Sequence, residues 1–207
     1  MDAGVTGSGT RSDVAVPAES TSAHAAGWVL RSAVAADIEV IAELRATVMR
    51  ADLERLGRYD EHRVRQRLRD SFSTQHTSII MIDRELAGCV TVRPAGGRQW
   101  LEHFYVAPRR QGRGLGSAVL RTVLERTDAQ GMTVGLNVLL GSAARRLYER
   151  HGFVVEAQDS IDVFMVRPPG GGGQPSTTPS RLARGKVLAY STEVRQPDRP
   201  ETSNHDH

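Results

Sequence analysis

Three glycines at alternate positions, Gly112, Gly114 and Gly116, mark the stretch of the chain best suited to bind an anion. Glycine adopts backbone angles that other residues avoid, and it lets a ligand come close to the main chain. The residues that follow have helical spacing, and the first amides of a helix lack partners within the helix and favour negative charge. Three neighbouring residues add positive charge: Arg109, Arg110 and Arg113. The stretch therefore predicts a phosphate site built mainly from backbone amides.

Two common phosphate-binding schemes do not fit this turn. A P-loop needs a Lys followed by Ser or Thr, and the turn contains no Lys. The dinucleotide fingerprint needs a sixth-place glycine, which counted from Gly112 is Ser117, and an acidic residue about twenty positions later, where the chain has Asn137 and Val138. A glycine-rich surface turn without a ligand is the remaining alternative from the residues alone.

The elements predicted around the turn alternate between the two regular periods. Apolar and β-branched runs predict strands at 28–32, 78–82, 86–92, 100–106, 132–139, 153–157 and 161–166. Helical spacing and capping residues predict helices at 37–56, 60–71, 115–128 and 142–150. Hairpins come first and a strand–helix–strand–helix–strand run follows. This order predicts a mixed α/β (α+β) fold, with a six- to seven-stranded mixed sheet and about four helices.

Composition limits the remaining possibilities. At 207 residues, 39% apolar and 25% charged, the chain fits one globular domain, which we place at 27–168. The ends, 1–26 and 169–207, are rich in Gly, Ser, Thr and Pro, and we expect them to be disordered. The net charge of +3 with 5% aromatic residues gives no indication of nucleic-acid binding.

The rest of the composition points to a cytoplasmic protein that binds neither membrane nor metal. The single cysteine, Cys89, excludes an internal disulfide and lies in an apolar run, so we expect it to be a buried strand residue. No run of eighteen apolar residues occurs, and the N-terminus has no leader pattern.

Two segments together resemble a known family. The turn and the strand end before it resemble the Gln/Arg-x-x-Gly-x-Gly signature of the GNAT superfamily of acetyl-CoA-dependent N-acetyltransferases: Phe104-Tyr105-Val106-Ala107-Pro108 and Gln111-Gly112-Arg113-Gly114-Leu115-Gly116. Downstream, Leu136-Asn137-Val138 and the run Ala144-Arg145-Arg146-Leu147-Tyr148 to Gly152-Phe153 are similar to the superfamily's asparagine-ended strand and following helix. The resemblance covers about 28–167 and is strongest over 100–167.

The resemblance implies a cofactor and where it binds. Acetyl-CoA would be the co-substrate, with its pantetheine arm between splayed strands at 100–106 and 132–138. The arm would pair with the backbone of Phe104, Tyr105 and Val106 and form a hydrogen bond with Asn137. The pyrophosphate would lie on the turn, against Gln111, Gly112, Arg113, Gly114, Leu115 and Gly116.

Amine attack on a thioester needs a proton acceptor, donors for the oxyanion and an acid for the leaving thiolate. Strand alternation predicts Glu102 with Phe104 on one face and His103 with Tyr105 on the other, so that only one of Glu102 and His103 can be the base. We prefer Glu102, because related enzymes often carry a carboxylate on this strand; an ion pair with an arginine is its structural alternative. An ordinary strand histidine is the alternative for His103.

The resemblance assigns the other two tasks to a backbone amide near Val106 and to the hydroxyl of Tyr148. Because Tyr148 also falls on an apolar helical stripe, a core tyrosine is the alternative. Transfer would be direct, and Cys89 lacks a neighbouring histidine and so makes a poor nucleophile.

The sequence does not identify the amine that accepts the acyl group. We expect specificity to come from the helices at 37–71 and the loop at 94–99, for a small amine, an amino acid, an aminoglycoside-like antibiotic or a peptide amine. Longer acyl donors remain possible, as do a monomer or a homodimer. A non-catalytic acyl-CoA-binding module is the main alternative; a nucleotide-binding interaction domain is disfavoured by the missing Lys and acidic residue.

Overall fold

A computed structural model of the chain describes residues 27–170. The predicted disordered ends, 1–26 and 169–207, lie outside the described residues except for a turn at residues 169–170. The strands are β1 (Val29–Ser32), β2 (Thr77–Ile82), β3 (Glu85–Ala95), β4 (Arg98–Val106), β5 (Val134–Leu139), β6 (Val154–Gln158) and β7 (Asp162–Arg167). The helices are α1 (Ile38–Arg55), α2 (Glu61–Ser71), α3 (Leu115–Ala129) and α4 (Ala144–Arg150), with short 3-10 turns at Ala35–Asp37 and Pro108–Arg110.

The seven strands form one sheet in the order β1-β2-β3-β4-β5-β7-β6. Every neighbouring pair is antiparallel except β4 and β5, which run parallel because the crossover helix α3 joins them. The predicted mixed α/β fold, antiparallel early and parallel at the crossover, is confirmed.

The hairpin between β3 and β4 is longer than the sequence pattern predicts. The sequence predicts a strand ending at 92 and a loop at 94–99, but β3 continues to Ala95, and only Gly96 and Gly97 turn, with φ of 60° and 77°. Pro94 is tolerated because β2 pairs with β3 only as far as Thr91, so that the proline has β4 as its only neighbouring strand.

Two hydrophobic cores lie on opposite faces of the sheet. The larger one packs α3 and α4 against the strands and includes Leu120 and Leu136, both almost fully buried. The other packs α1 and α2 against Ile79, Cys89 and Tyr105. Each fully buried aliphatic side chain contributes roughly 1.5–3 kcal/mol, so these faces hold the sheet between two helical layers.

The helix α2 is positioned by its ends as well as by its buried face. The carboxylate of Asp60 accepts a hydrogen bond from the amide of Arg63 at 2.7 Å, which caps the helix. Leu68 is fully buried, while most other side chains of α2 are polar.

Within residues 27–170, no helix is both long and apolar enough to cross a membrane.

Candidate active site

The glycine-rich turn presents a row of free amides. Gly112 and Gly114 have φ of 72° and 82°, and Gly114 is the residue that precedes α3. Among the described residues, the backbone amides of 112–117 donate to no other protein group. A Cβ placed on Gly112 or Gly114 would meet nothing within 4 Å, so the space beside these two glycines is open. The arrangement suits an anionic oxygen ligand.

The turn is tied to the strand before it and to the helix α4. The side chain of Gln111 donates to the carbonyl of Val106 at 2.8 Å. A Cβ on Gly116 would lie 3.5 Å from Leu147, so α3 packs closely on α4. These contacts fix the turn at the carboxyl end of β4.

The strands β4 and β5 separate beside the turn. They pair only between Gln99–Leu101 and Val134–Leu136. Beyond these three pairs, residues 102–106 keep their antiparallel partner β3 but have no strand on the β5 side. Asn137 lies at this opening, where its exposed side chain makes no hydrogen bond with the described residues. The opening agrees with the splayed strands that the family resemblance implies.

A β-bulge in β4 changes which side chains share a face. Between Cys89↔Tyr105 and Thr91↔Glu102, β3 advances two residues and β4 three. The extra residue lies at His103, whose φ is 44°. Our expectation that Glu102 would share a face with Phe104, opposite His103 and Tyr105, was therefore wrong.

The two core clusters show where the side chains go instead. Leu101 and Phe104 pack in the core under α3 and α4, and Tyr105 packs in the core under α1 and α2. Glu102 pairs across the strands with Thr91, which is two residues from Cys89 and so lies on the α1/α2 side. The bulge thus brings Glu102, His103 and Tyr105 to one side of the sheet.

Glu102 forms a two-pronged ion pair with Arg93. The Arg93 Nε and Nη2 atoms donate to the two carboxylate oxygens at 2.8 and 2.7 Å, and the Glu102 side chain is 23% exposed. This is the structural alternative that the sequence left open for Glu102. The ion pair fixes the carboxylate in place but leaves lone pairs for a water.

His103 uses both ring nitrogens. Because the Ser71 hydroxyl lies 2.6 Å from the Arg67 carbonyl and donates to it, it accepts from His103 Nε2 at 3.0 Å. Nδ1 then accepts from the Tyr105 hydroxyl at 3.2 Å, and the Tyr105 oxygen accepts from Arg45 at 2.7 Å. Burial, followed by the charge of Arg45, lowers the pKa of His103 to about 4. Because both of its ring nitrogens are in hydrogen bonds, the His103 imidazole is not free to take a proton from the amine.

Arg45 and Ser71 were not among the predicted site residues, and they lie 60 and 32 residues along the chain from their partners. One signal was available for Arg45. It falls four residues after Ile41 and three before Val48, and so interrupts the apolar stripe of α1. A charged residue on a buried helical stripe is a candidate for a polar site.

Tyr148 lies in the core under α3 and α4 with 7% of its surface exposed, and its ring meets the edge of Phe153 at 5.8 Å between centroids. Its hydroxyl makes no hydrogen bond with any described residue. Burial, and to a lesser degree Tyr105, raises its pKa well above the ordinary value. The hydroxyl is therefore protonated at neutral pH, which agrees with both the donor role and the core role.

Cys89 is buried and does not resemble a nucleophile. Its Sγ donates to the carbonyl of His103 at 3.0 Å, and burial raises the pKa of the thiol to about 12. Across residues 27–170, no group of three or more His, Cys, Asp or Glu side chains is arranged to hold a metal ion.

Comparisons with known proteins agree with this geometry. Residues 73–155, from the end of α2 to β6, match the family model described as an acetyltransferase (GNAT) domain. No curated protein sequence matches the chain significantly.

Solved structures share the fold at low sequence identity. A PaiA N-acetyltransferase from Thermoplasma acidophilum, in complex with coenzyme A, superposes with a TM-score of 0.57 at 18% identity, covering 68% of this chain and 98% of its own. The ribosomal-protein-S18-alanine N-acetyltransferase from Escherichia coli gives 0.54 at 17%, covering 72% and 97%. Ard1 from Thermoplasma volcanium gives 0.53 at 21%, covering 69% and 97%. Residues 73–155 thus match an acetyltransferase (GNAT) domain, and the described part of the chain shares its fold with solved N-acetyltransferases.

Proposed function

We propose that the protein transfers an acetyl group from acetyl-CoA to a primary amine, as an N-acetyltransferase of the cytoplasm. The observation that carries this proposal is the opening between β4 and β5, which ends beside the unpartnered amides of residues 112–117. The opening offers backbone groups to a pantetheine arm, and the turn offers donors to a pyrophosphate. A PaiA N-acetyltransferase of this fold was solved with coenzyme A bound, which supports the use of an acyl-CoA.

The cofactor contacts are proposed residue by residue. The backbone of Phe104, Tyr105 and Val106 would pair with the pantetheine arm, and the side chain of Asn137 would donate to it. The pyrophosphate would be bound by the turn, through Gln111, Gly112, Arg113, Gly114, Leu115 and Gly116.

The reaction would proceed by direct attack on the thioester. The amine nitrogen forms a bond to the carbonyl carbon, and a backbone amide near Val106 stabilises the oxyanion. The carbon–sulfur bond then breaks, and Tyr148 donates its proton to the leaving thiolate. The amine's proton passes to Glu102 through a water molecule, because Arg93 already occupies the carboxylate on one side.

A non-catalytic acyl-CoA-binding module is the second candidate. The ion pair of Glu102 with Arg93 and the burial of Tyr148 favour it, since both residues have structural roles without any reaction. The two candidates differ in turnover but not in cofactor binding.

Two measurements separate these functions. Thermal unfolding with acetyl-CoA, ATP or NAD tests the cofactor: stabilisation by acetyl-CoA alone supports either candidate, and stabilisation by ATP or NAD alone contradicts both. Thiol release from acetyl-CoA with a panel of amines then tests catalysis. Binding without thiol release for any class of amine would select the non-catalytic module.

A further inference from the structure

Two arginines on the inner sides of α1 and α2 lack the carboxylate partners that their neighbours have. Four arginines of these helices are ion-paired: Arg50 with Glu54, Arg55 with Asp52, Arg65 with Glu43 and Arg69 with Glu39. Arg45 and Arg67 have no ion pair within the described part of the chain. The Nε atom of each is buried without a hydrogen-bond partner.

These two arginines border the side of the sheet that carries Glu102, His103 and Tyr105. Arg45 donates to the Tyr105 hydroxyl, and its guanidinium carbon lies 5.9 Å from the centre of that ring. Arg67 lies one helical turn before Ser71, whose hydroxyl bonds both the Arg67 carbonyl and His103. The charges interact: burial, then the charge of Arg45, lowers the pKa of Arg67.

Both side chains are partly buried, and a desolvated guanidinium without a counter-ion is unfavourable, so this arrangement indicates a missing anion. The CoA pyrophosphate does not fit this place, because its proposed site is at the start of α3, a helix on the opposite face of the sheet. The carboxylate of Asp162 attracts Arg67, but less strongly than Arg45 and Arg63 repel it, and it forms no ion pair with it. Burial raises the pKa of Asp162 itself.

We propose that Arg45 and Arg67 bind a carboxylate of the acceptor, so that the substrates are primary amines that also carry a carboxylate, as amino acids do. This inference rests on the proposed N-acetyltransferase function. Guanidinium groups bind carboxylates in preferred planar geometry, and their hydrogen bonds to an anion are stronger than those between neutral groups. Acceptors with only positive charge, such as polyamines and lysine side chains, are repelled by the same pair.

Binding tests the inference without any turnover. The full chain, saturated with CoA to fill the pyrophosphate site, is titrated with the common amino acids and with their carboxamides at constant ionic strength. We expect at least one amino acid, but not its carboxamide, to raise the melting temperature. The rise should be lost in Arg67→Gln and kept in Arg50→Gln, a matched change on α1. If no amino acid stabilises the protein, if acid and amide act equally, or if the rise survives in Arg67→Gln, the inference is overturned.

Turnover gives a second, separate reading. For the stabilising amino acid, kcat/KM should exceed that of its carboxamide by about tenfold or more, and Arg67→Gln should reduce this ratio towards one. Should Arg67→Gln fail to fold, Arg67→Lys, which keeps the charge but not the planar fork, replaces it and should retain part of the preference. CoA-dependent binding of amino acids without thiol release would contradict the catalytic proposal and leave the carboxylate site standing. Thiol release with polyamines alone would support the catalytic proposal and contradict the carboxylate site.

Discussion

The hydroxyl of Tyr105 lies 3.2 Å from Nδ1 of His103, next to a bulge in β4 that brings Glu102 to the same side of the sheet as these two residues. Plain strand alternation would place residues 101, 103 and 105 together. The bulge instead moves Leu101 into one core and Tyr105 into the other. The same irregularity aligns Glu102, His103 and Tyr105 with the arginines of α1 and α2, so that one extra residue determines the composition of the site.

The low pKa of His103, about 4, predicts a pH-dependent stability. Below pH 6.5 the unfolded histidine binds a proton that the folded one does not, so stability falls as the pH decreases from about 6.5 towards 4. At 1.36 kcal/mol per pH unit, the loss between pH 6.5 and 5 is about 2 kcal/mol. His103→Asn should remove this slope, because asparagine tolerates the φ of 44° and does not titrate.

Urea unfolding at several pH values measures the effect. His62→Asn, a change at an exposed histidine of α2, is the control and should keep the wild-type slope. An identical pH dependence in wild type and His103→Asn would show that the imidazole is not held neutral by the fold.

The close approach of β4 to Gly88 predicts a steric cost for any side chain at this position. A Cβ there would lie 2.2 Å from the backbone oxygen of Tyr105, a distance that real side chains do not adopt. Gly88→Ala should therefore destabilise the protein by about 1–3 kcal/mol or more, through displacement of β4. Gly96→Ala is the control: its site is open, and only the strain of φ 60° remains, at about 1 kcal/mol. Equal unfolding free energies for the two variants would contradict a tight contact at Gly88.

Most of the fold could be predicted from sequence periodicity, since buried positions recur with the period of each element. The order of strands and helices and the parallel pairing of β4 with β5 all follow from it. The bulge could not be predicted, because one extra residue in β4 leaves the apolar pattern of 100–106 almost unchanged. Its position depends on the register against β3, which only the folded sheet determines.

Gly114→Val should abolish binding of acetyl-CoA without unfolding the protein. The new Cβ would meet no protein atom within 4 Å but would add bulk to the turn whose amides, at 112–117, we assign to the pyrophosphate. Gly57→Val is the control, because Gly57 also has open surroundings and a positive φ, 63°, at the end of α1. Calorimetric titration of both variants should show loss of affinity only for Gly114→Val. Undiminished affinity in a folded Gly114→Val protein would contradict the assignment of the turn.

The domain limits predict which truncations are tolerated. Arg167 is buried and forms a two-pronged ion pair with Asp128, which also accepts from the amide of Gly170 at 3.0 Å. A chain cut to residues 27–170 should keep the melting temperature within a few degrees, whereas ending it at residue 166 should lower it clearly. A large loss on cutting to 27–170 would show that the removed ends stabilise the domain.

Less of the candidate site than of the fold could be predicted. The turn and Tyr148 could be named as candidates from the sequence alone, because the motifs that contain them are continuous along the chain. The contacts of His103 with Ser71 and Tyr105 with Arg45 join segments that only folding brings together. An ion pair of Glu102 with an arginine was one of the sequence-based alternatives, but the sequence did not identify Arg93 as the partner.

The proposed acid, Tyr148, can be tested with its packing retained. Tyr148→Phe keeps the ring beside Phe153 and removes only the hydroxyl, which makes no hydrogen bond with the described residues. Affinity for acetyl-CoA should survive, while turnover falls by roughly 10²–10⁴-fold, as is typical for loss of a general acid. The defect should persist at every pH, because the leaving thiolate needs its proton regardless of the state of the amine. Wild-type turnover in Tyr148→Phe would show that Tyr148 is a core residue and not the acid.

The proposed base, Glu102, should give a different pH signature. Glu102→Gln removes the proton acceptor, so turnover should fall most at acidic to neutral pH, where the amine arrives protonated. As the pH rises, free amine accumulates without help from the protein, and the Glu102→Gln rate should approach that of the wild type. Because the change also weakens the ion pair with Arg93, the melting temperature is measured beside the pH–rate profile. A defect in folded Glu102→Gln that is constant up to high pH would make Glu102 a structural or substrate-binding residue. Since both nitrogens of His103 are already engaged, the proton would then have to leave through an ordered water alone.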